Sequence, residues 1–158
     1  MITQEYLRTI FHYDPITGIF TWKTNMGNVK CAGKRAGWIH PKYGYVVIRV
    51  CGINTGAHRL AWIFSHGINP KEIIDHRDGN PSNNALENLR LASPSLNGAN
   101  SKCRSNSKSG IKGVRKVGKR WEAKANRKYI GTYDTIAEAS AAYLSVAKSL
   151  WGEFARSH

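Results

Sequence analysis

The stretch Ile73-Ile74-Asp75-His76-Arg77-Asp78-Gly79-Asn80-Pro81-Ser82-Asn83-Asn84-Ala85-Leu86-Glu87-Asn88-Leu89-Arg90, followed by Asn97, decides how this chain is read. A short apolar run ends on a carboxylate directly beside a histidine. Asp78-Gly79-Asn80-Pro81 then turns the chain. Asn88 to Ala92 returns as a second short strand, and Ser93 caps a helix with Pro94 at its first position, running to about Asn100. The order is strand, loop, strand, helix. In a regular strand Asp75 and His76 point to opposite sides, so a site that uses both needs the strand to end there. Asn97 falls in the first turns of the helix. The oxygens of Asp75 and Asn97 suit a hard cation, magnesium or manganese. His76 is placed to take the proton from an attacking water while the cation offsets charge on a scissile phosphate. Asn88 is placed to tie the loop together through side-chain to backbone hydrogen bonds and to aim the imidazole.

Outward from this stretch, charge names the partner. The 158 residues carry 24 Lys and Arg against 10 Asp and Glu, a net charge of +14. The basic residues are scattered among aromatics and glycines instead of lining one amphipathic helix, which points to nucleic acid over an anionic membrane. No apolar run approaches a membrane span, and the N-terminus lacks a signal-peptide core. Cys31, Cys51 and Cys103 are too few and too far apart for a zinc ribbon or a disulfide framework, so a reducing cytoplasm is the simple reading.

Before the central stretch, Thr3 to His12 reads as a short helix capped by Thr3. Asp14-Pro15-Ile16-Thr17-Gly18 is a strong turn, and Ile19 to Lys23 a strand. A Gly- and Lys-rich loop follows. Tyr45 to Cys51 is a strand, Gly52 to Gly56 a hairpin connection, and His58 to His66 a helix stopped by Gly67. After it, Ser101 to Gly110 reads as a linker. Residues 101–158 carry 13 Lys and Arg against 4 Asp and Glu, net +9, so charge is densest after that linker. Gly113 to Val117, Arg120 to Ala125 and Lys128 to Tyr133 read as three strands, and an Ala-rich helix from about Ile136 to Trp151 backs them.

Two resemblances sharpen this. Ala57-His58-Arg59-Leu60-Ala61-Trp62, Ile74-Asp75-His76, Asp78-Gly79-Asn80, Asn83-Asn84, Glu87-Asn88-Leu89-Arg90 and Asn97-Gly98-Ala99-Asn100 resemble the HNH endonucleases, also called ββα-metal or His-Me finger nucleases, in their phage and homing form. The resemblance implies His76 as general base, Asp75 and Asn97 as metal ligands, and Asn88 as the residue that orients the histidine. Many HNH enzymes have histidine where Asn97 stands, which favours magnesium over zinc. His58, Arg59 and Arg77 are candidate phosphate contacts. Tyr13 to Lys23 is similar to a segment often fused to such phage nucleases. The second resemblance covers residues 109–155. Gly110-Ile111-Lys112-Gly113-Val114-Arg115, Arg120-Trp121-Glu122-Ala123, Ile130-Gly131-Thr132-Tyr133-Asp134-Thr135 and Ala137-Glu138-Ala139 look like the apetala/ethylene-response-factor DNA-binding domain. That family lays a three-stranded sheet into the major groove, which implies DNA contacts from Lys112, Arg115, Arg120, Trp121 and Lys124. Asn126 and Arg127 depart from its pattern in the second strand, so its base preference does not carry over.

The expected fold class is α+β: a ββα-metal module with N-terminal strands and helix, then a small three-stranded antiparallel sheet on one helix. The expected domains are 1–100 and 110–158, joined by 101–109. The expected function is an endonuclease acting on double-stranded DNA with magnesium, or manganese in its place, a monomer in the cytoplasm of a bacterial or phage-infected cell, with no membrane or obligate protein partner. The rival readings are a non-catalytic DNA-binding protein built on an HNH-derived scaffold, and an RNA-binding protein.

Overall fold

In the computed structural model, which describes residues 2–157, helix α1 (Gln4–Ile10) starts at Thr3, whose hydroxyl accepts the Tyr6 amide at 3.2 Å. The helix predicted to reach His12 stops earlier, because Phe11–Asp14 form strand β1. It pairs antiparallel with β2 (Ile19–Trp22), from Phe11 opposite Trp22 to Asp14 opposite Ile19. Phe11 and Tyr13 alternate into the core against Phe20, with ring centroids 5.4 and 4.6 Å away. Burying two such rings is worth about 1.5–3 kcal/mol each. Helix propensities differ by only a few tenths of a kcal/mol per residue, so the strand wins. The predicted turn joins the two strands: the Asp14 carboxylate accepts the Ile16 amide at 2.9 Å and the Thr17 hydroxyl at 2.7 Å.

The Gly- and Lys-rich stretch predicted to loop contains β3 (Trp38–Ile39), and the predicted hairpin connection is itself a strand, β5 (Ile53–Gly56). Both flank β4 (Val46–Val50) in an antiparallel sheet ordered β3-β4-β5. Helix α2 (Ala57–His66) ends at Gly67 in the left-handed region, as its sequence predicts. Leu7, Phe11, Phe20, Ile48, Val50 and Leu60 form the fully buried centre of this unit. On its flank lies the hairpin of β6 (Ile73–His76) and β7 (Leu89–Ala92), with Asp75 opposite Arg90 and His76 opposite Leu89.

The chain divides into two compact units, 1–92 and 93–158, so the boundary falls before the strand-following helix and not at the predicted 101–109 linker. In the second unit Ser93 caps α3 (Pro94–Asn100), accepting the Leu96 amide at 3.3 Å. The predicted linker is a run of turns held by its own serines: Ser109 Oγ donates toward the Val114 carbonyl at 2.6 Å. Strands β8 (Val114–Val117), β9 (Arg120–Ala125) and β10 (Lys128–Tyr133) form an antiparallel sheet ordered β10-β9-β8. Asn126 and Arg127 make the β9–β10 connection with φ of 48° and 63°, the left-handed pair that a two-residue hairpin needs. Helix α4 (Ile136–Trp151) opens with a reciprocal capping box between Thr135 and Glu138. Ala139 and Ala147 on the helix and Ala123 and Ala125 on β9 are fully buried, and these small side chains let helix and sheet approach closely around Tyr143. Among the described residues no helix is long and apolar enough to cross a membrane.

Candidate functional site

Strand β6 delivers Asp75 and His76 to opposite sides of the β6–β7 hairpin, both buried. Directly opposed residues of an antiparallel pair share a face. Asp75 therefore meets Arg90, whose Nε donates to Oδ2 at 3.0 Å, with 6% and 7% of the two side chains exposed. On the other side, the His76 ring has the His58 ring 5.3 Å away, edge-on, and the Tyr45 ring 5.8 Å away, centroid to centroid. Burial pushes the His76 imidazole below the ordinary histidine value, against the opposing pull of Asn84, Asp78 and Asp75. Burial also pushes His58 down to about 4, helped by His76 and Arg59. Both rings are thus neutral at pH 7, and a neutral imidazole is what a general base requires.

The loop after His76 is ordered by asparagines. Asn88 accepts the Asp78 amide at 3.1 Å through Oδ1, and its Nδ2 donates to Asp78 Oδ1 at 3.0 Å and to the Asn83 carbonyl at 2.8 Å. These bonds cross-link the loop from Asp78 to Asn88. Burial raises the Asp78 carboxyl, but hydrogen bonds from Asn80, Asn83 and Asn88 outweigh it and hold the group below its ordinary value. One side chain within reach of the imidazole is Asn84, whose Oδ1 lies 3.3 Å from His76 Nε2. Sequence reasoning treated Asn84 as a loop former and passed over Tyr45. The polarity of Asn84 hides the fact that it is only 1% exposed, a burial that an asparagine adopts only when its amide is satisfied.

Asn97 is the fourth residue of α3 and so belongs to the second unit, whereas Asp75, His76 and Asn88 belong to the first. Among the described residues no group of three or more His, Cys, Asp or Glu side chains converges on a metal position. The donors nominated for a metal are one carboxylate and one amide oxygen. That set fits a hard cation that keeps several waters and takes further oxygens from a substrate phosphate; it does not fit zinc, which wants nitrogen and sulfur.

Residues 55–99 match the family model for the HNH endonucleases. The chain carries an HNH endonuclease domain. It is 34% identical over 125 residues to an uncharacterized HNH endonuclease of Acanthamoeba polyphaga mimivirus, covering 75% of this chain and 64% of that protein. It is 48% identical over 58 residues to Protein 3.8 of Escherichia phage T7, covering 36% of this chain and 48% of that one. The chain thus spans about half to two thirds of the length of these curated relatives. A solved structure of the HNH homing endonuclease I-HmuI, described by its DNA binding and cleavage, overlaps 56% of this chain and 49% of its own, at 27% identity and a TM-score of 0.40.

Of the other residues nominated around the HNH domain, Arg59 is occupied: its Nη1 donates to Asn69 Oδ1 at 2.6 Å and to the Pro70 carbonyl at 2.8 Å, bracing the chain after α2. Arg77 is exposed and lines a cleft of about 570 Å³ with Trp62, His66 and Glu87. His58 sits against His76 instead of facing solvent.

In the second unit the five nominated DNA contacts separate. Arg115, Arg120 and Lys124 share the outer face of the sheet with Glu122 and with Tyr129, which sequence reasoning missed. Trp121 has the opposite parity and packs half-buried into the helix-facing core, with the Lys116 ammonium 5.8 Å over its ring, so it is not a stacking platform on the outer face. Lys112 precedes β8 instead of lying on the sheet. Its Nζ donates to the carbonyls of Gly98, Ala99 and Ser101 at 2.7, 2.6 and 2.8 Å, capping the end of α3, where helix carbonyls lack partners. Burial lowers the Lys112 ammonium from its ordinary value. The Lys112 ammonium is thus engaged at the end of α3 and not on the sheet face.

Proposed function

We propose that this protein is a metal-dependent DNA endonuclease that hydrolyses phosphodiester bonds with a water activated by His76, and that its second unit is a DNA-binding module. The observation that carries the reading is the buried His76, next to Asp75 in sequence at the end of β6 and inside the HNH match, with burial holding its imidazole below the ordinary histidine value. His76 accepts the proton of the attacking water, a role worth about 10²–10⁴ in rate. Asn88 holds the loop that follows His76 in one shape. Asp75 and Asn97 would hold the divalent ion, magnesium in preference to manganese. When bound, that ion offsets charge on the scissile phosphate and the leaving oxygen. The products would carry a 5′-phosphate and a 3′-hydroxyl, as the HNH resemblance implies.

The sheet of the second unit resembles the apetala/ethylene-response-factor domain, and its outer face presents Arg115, Arg120 and Lys124 to duplex DNA. Arginines on a strand ribbon reach guanine edges and phosphates in the major groove. Tethering this sheet to the nuclease raises the local concentration of DNA at the site. The working form is a monomer.

The test uses supercoiled plasmid with magnesium or with EDTA. The wild-type chain is expected to nick or linearise the plasmid with magnesium only. His76→Ala is expected to cut at least about 100-fold more slowly while still retarding duplex DNA on a gel. If neither protein cuts while both retard DNA, the chain is a binding protein on an HNH scaffold.

A further inference from the structure

We propose that Asn84 is a positioning residue that fixes the imidazole tautomer of His76, and that the β1–β2 hairpin serves the HNH domain by bracing Asn84. The catalytic meaning of this tautomer rests on the nuclease reading above; the tautomer itself does not.

The argument begins with the orientation of an amide. Asn84 Nδ2 donates to the Ser82 carbonyl at 3.1 Å. Turning the amide over would face Oδ1 to that carbonyl, oxygen against oxygen, so Oδ1 is the atom that points to His76 Nε2 at 3.3 Å. An amide oxygen only accepts. The neutral imidazole therefore carries its proton on Nε2, and its basic lone pair is on Nδ1. A base whose lone pair sits on the wrong nitrogen is idle whatever its basicity, so a buried acceptor at Nε2 has a direct effect on rate.

Asn84 itself is held from the other side by the first hairpin. The Tyr13 hydroxyl donates to the Asn84 carbonyl at 2.8 Å, and burial pushes that phenol up to about 12, so it stays a donor. Gly18, at φ of 70°, lies so close that a Cβ there would stand 2.2 Å from the Asn84 carbonyl carbon and 2.3 Å from the Ala85 nitrogen. The Pro15 carbonyl accepts the Leu86 amide at 2.8 Å. Three contacts from the Tyr13–Gly18 segment thus grip the backbone from the Asn84 carbonyl to the Leu86 amide. An asparagine that merely formed the loop would bond its own loop with both amide atoms, as Asn88 does. Asn84 sends its oxygen out of the loop to the base.

The experiment uses the full chain, labelled with ¹⁵N-histidine, without metal, at pH 8, where the imidazole is neutral. Long-range ¹H–¹⁵N spectra report the tautomer of each ring, and His76→Gln identifies the His76 signals. The wild-type ring is expected to be Nε2-protonated, Asn84→Asp to keep that form because it keeps an acceptor, and Asn84→Leu to give a mixture. In plasmid cleavage Asn84→Leu is expected to lose kcat by about 100-fold with KM nearly unchanged, and Asn84→Asp to recover most of it. An Nδ1-protonated ring in the wild type overturns the proposal, and so does an unchanged tautomer in Asn84→Leu. The wild-type spectrum decides even where Asn84→Leu fails to fold. An Nε2-protonated ring in a wild type that does not cut supports the tautomer assignment and retires the nuclease reading.

Discussion

Two ion pairs, one in each unit, look alike as distances and differ in everything else. Arg90 meets Asp75 at 3.0 Å with both side chains almost wholly buried, and Arg115 meets Glu122 at 2.6 Å with 65% of the arginine side chain in water. The shorter contact is the weaker one. In water, ions trade partners at little cost, and exposed pairs contribute little to stability. Below the surface each ion has lost its hydration, so removing either partner leaves a charge that the interior tolerates poorly. The buried pair fixes where Asp75 points. The exposed pair, with Lys124 on the same carboxylate at 3.1 Å, holds cations loosely enough for a phosphate to take them over.

The strongest way to break this contrast is Arg90→Met. It keeps the bulk and takes the guanidinium from Asp75, so a loss of about 3–5 kcal/mol is expected in urea denaturation of the first unit. The double variant Asp75→Leu/Arg90→Met, which removes both charges, is expected to recover most of that loss. A single-variant cost below about 1 kcal/mol would mean that the pair behaves as a surface contact.

Acid sharpens the contrast further. The unfolded His58 imidazole binds a proton at about 6.5, the folded one only at about 4. On acidification the unfolded chain therefore gains its proton first. The stability that His58 contributes is fully present above pH 6.5 and is lost as the pH falls toward 4, by at most about 3 kcal/mol. His58→Phe is expected to flatten this part of the pH dependence, leaving the portion owed to His76, whose imidazole is lowered in the same direction. The measurement is hydrogen exchange in α2 between pH 7 and 4.5, with β9 amides as the reference. Equal acid sensitivity in both elements would sink the idea.

What could be seen in the sequence follows the same division between local and tertiary causes. β6, α2, α3 and the three strands with α4 lie close to their predicted ranges, because caps, glycines and apolar periods are local signals. β1, β3 and β5 were missed because four-residue and two-residue strands of mixed polarity exist only where a partner strand supplies the hydrogen bonds. Within the site, Asp75, His76 and Asn88 announce themselves by type and spacing. Asn83 and Asn84 are identical neighbours in the sequence, yet one bonds Asp78 and the other His76; only the folded loop tells them apart. Trp121 misleads in the opposite way. Its chemistry suits stacking on a base, but the period-two alternation with Ala123 and Ala125 places it on the helix side.

The smallest expected change in stability comes from Glu122→Gln, and there the contrast turns into function. Hydrogen bonds from Arg115, then Lys124, hold the Glu122 carboxyl below its ordinary value, so it is anionic at any pH where DNA is bound. That anion stands on the proposed DNA face and competes with phosphate for both cations. Neutralising it removes a repulsive charge and releases Arg115 and Lys124 while keeping a side chain of the same size. Duplex DNA is expected to bind about 3–10-fold more tightly at low salt, and the slope of log K against log salt to steepen by about one to two, since each newly engaged cation releases counterions from the phosphates. The urea midpoint of the second unit is expected to stay where it is. Fluorescence anisotropy across a salt series reads the affinity and the slope together. Weaker DNA binding would place the DNA elsewhere than on this sheet face, and a loss of stability approaching that of Arg90→Met would show that exposure does not separate the two pairs.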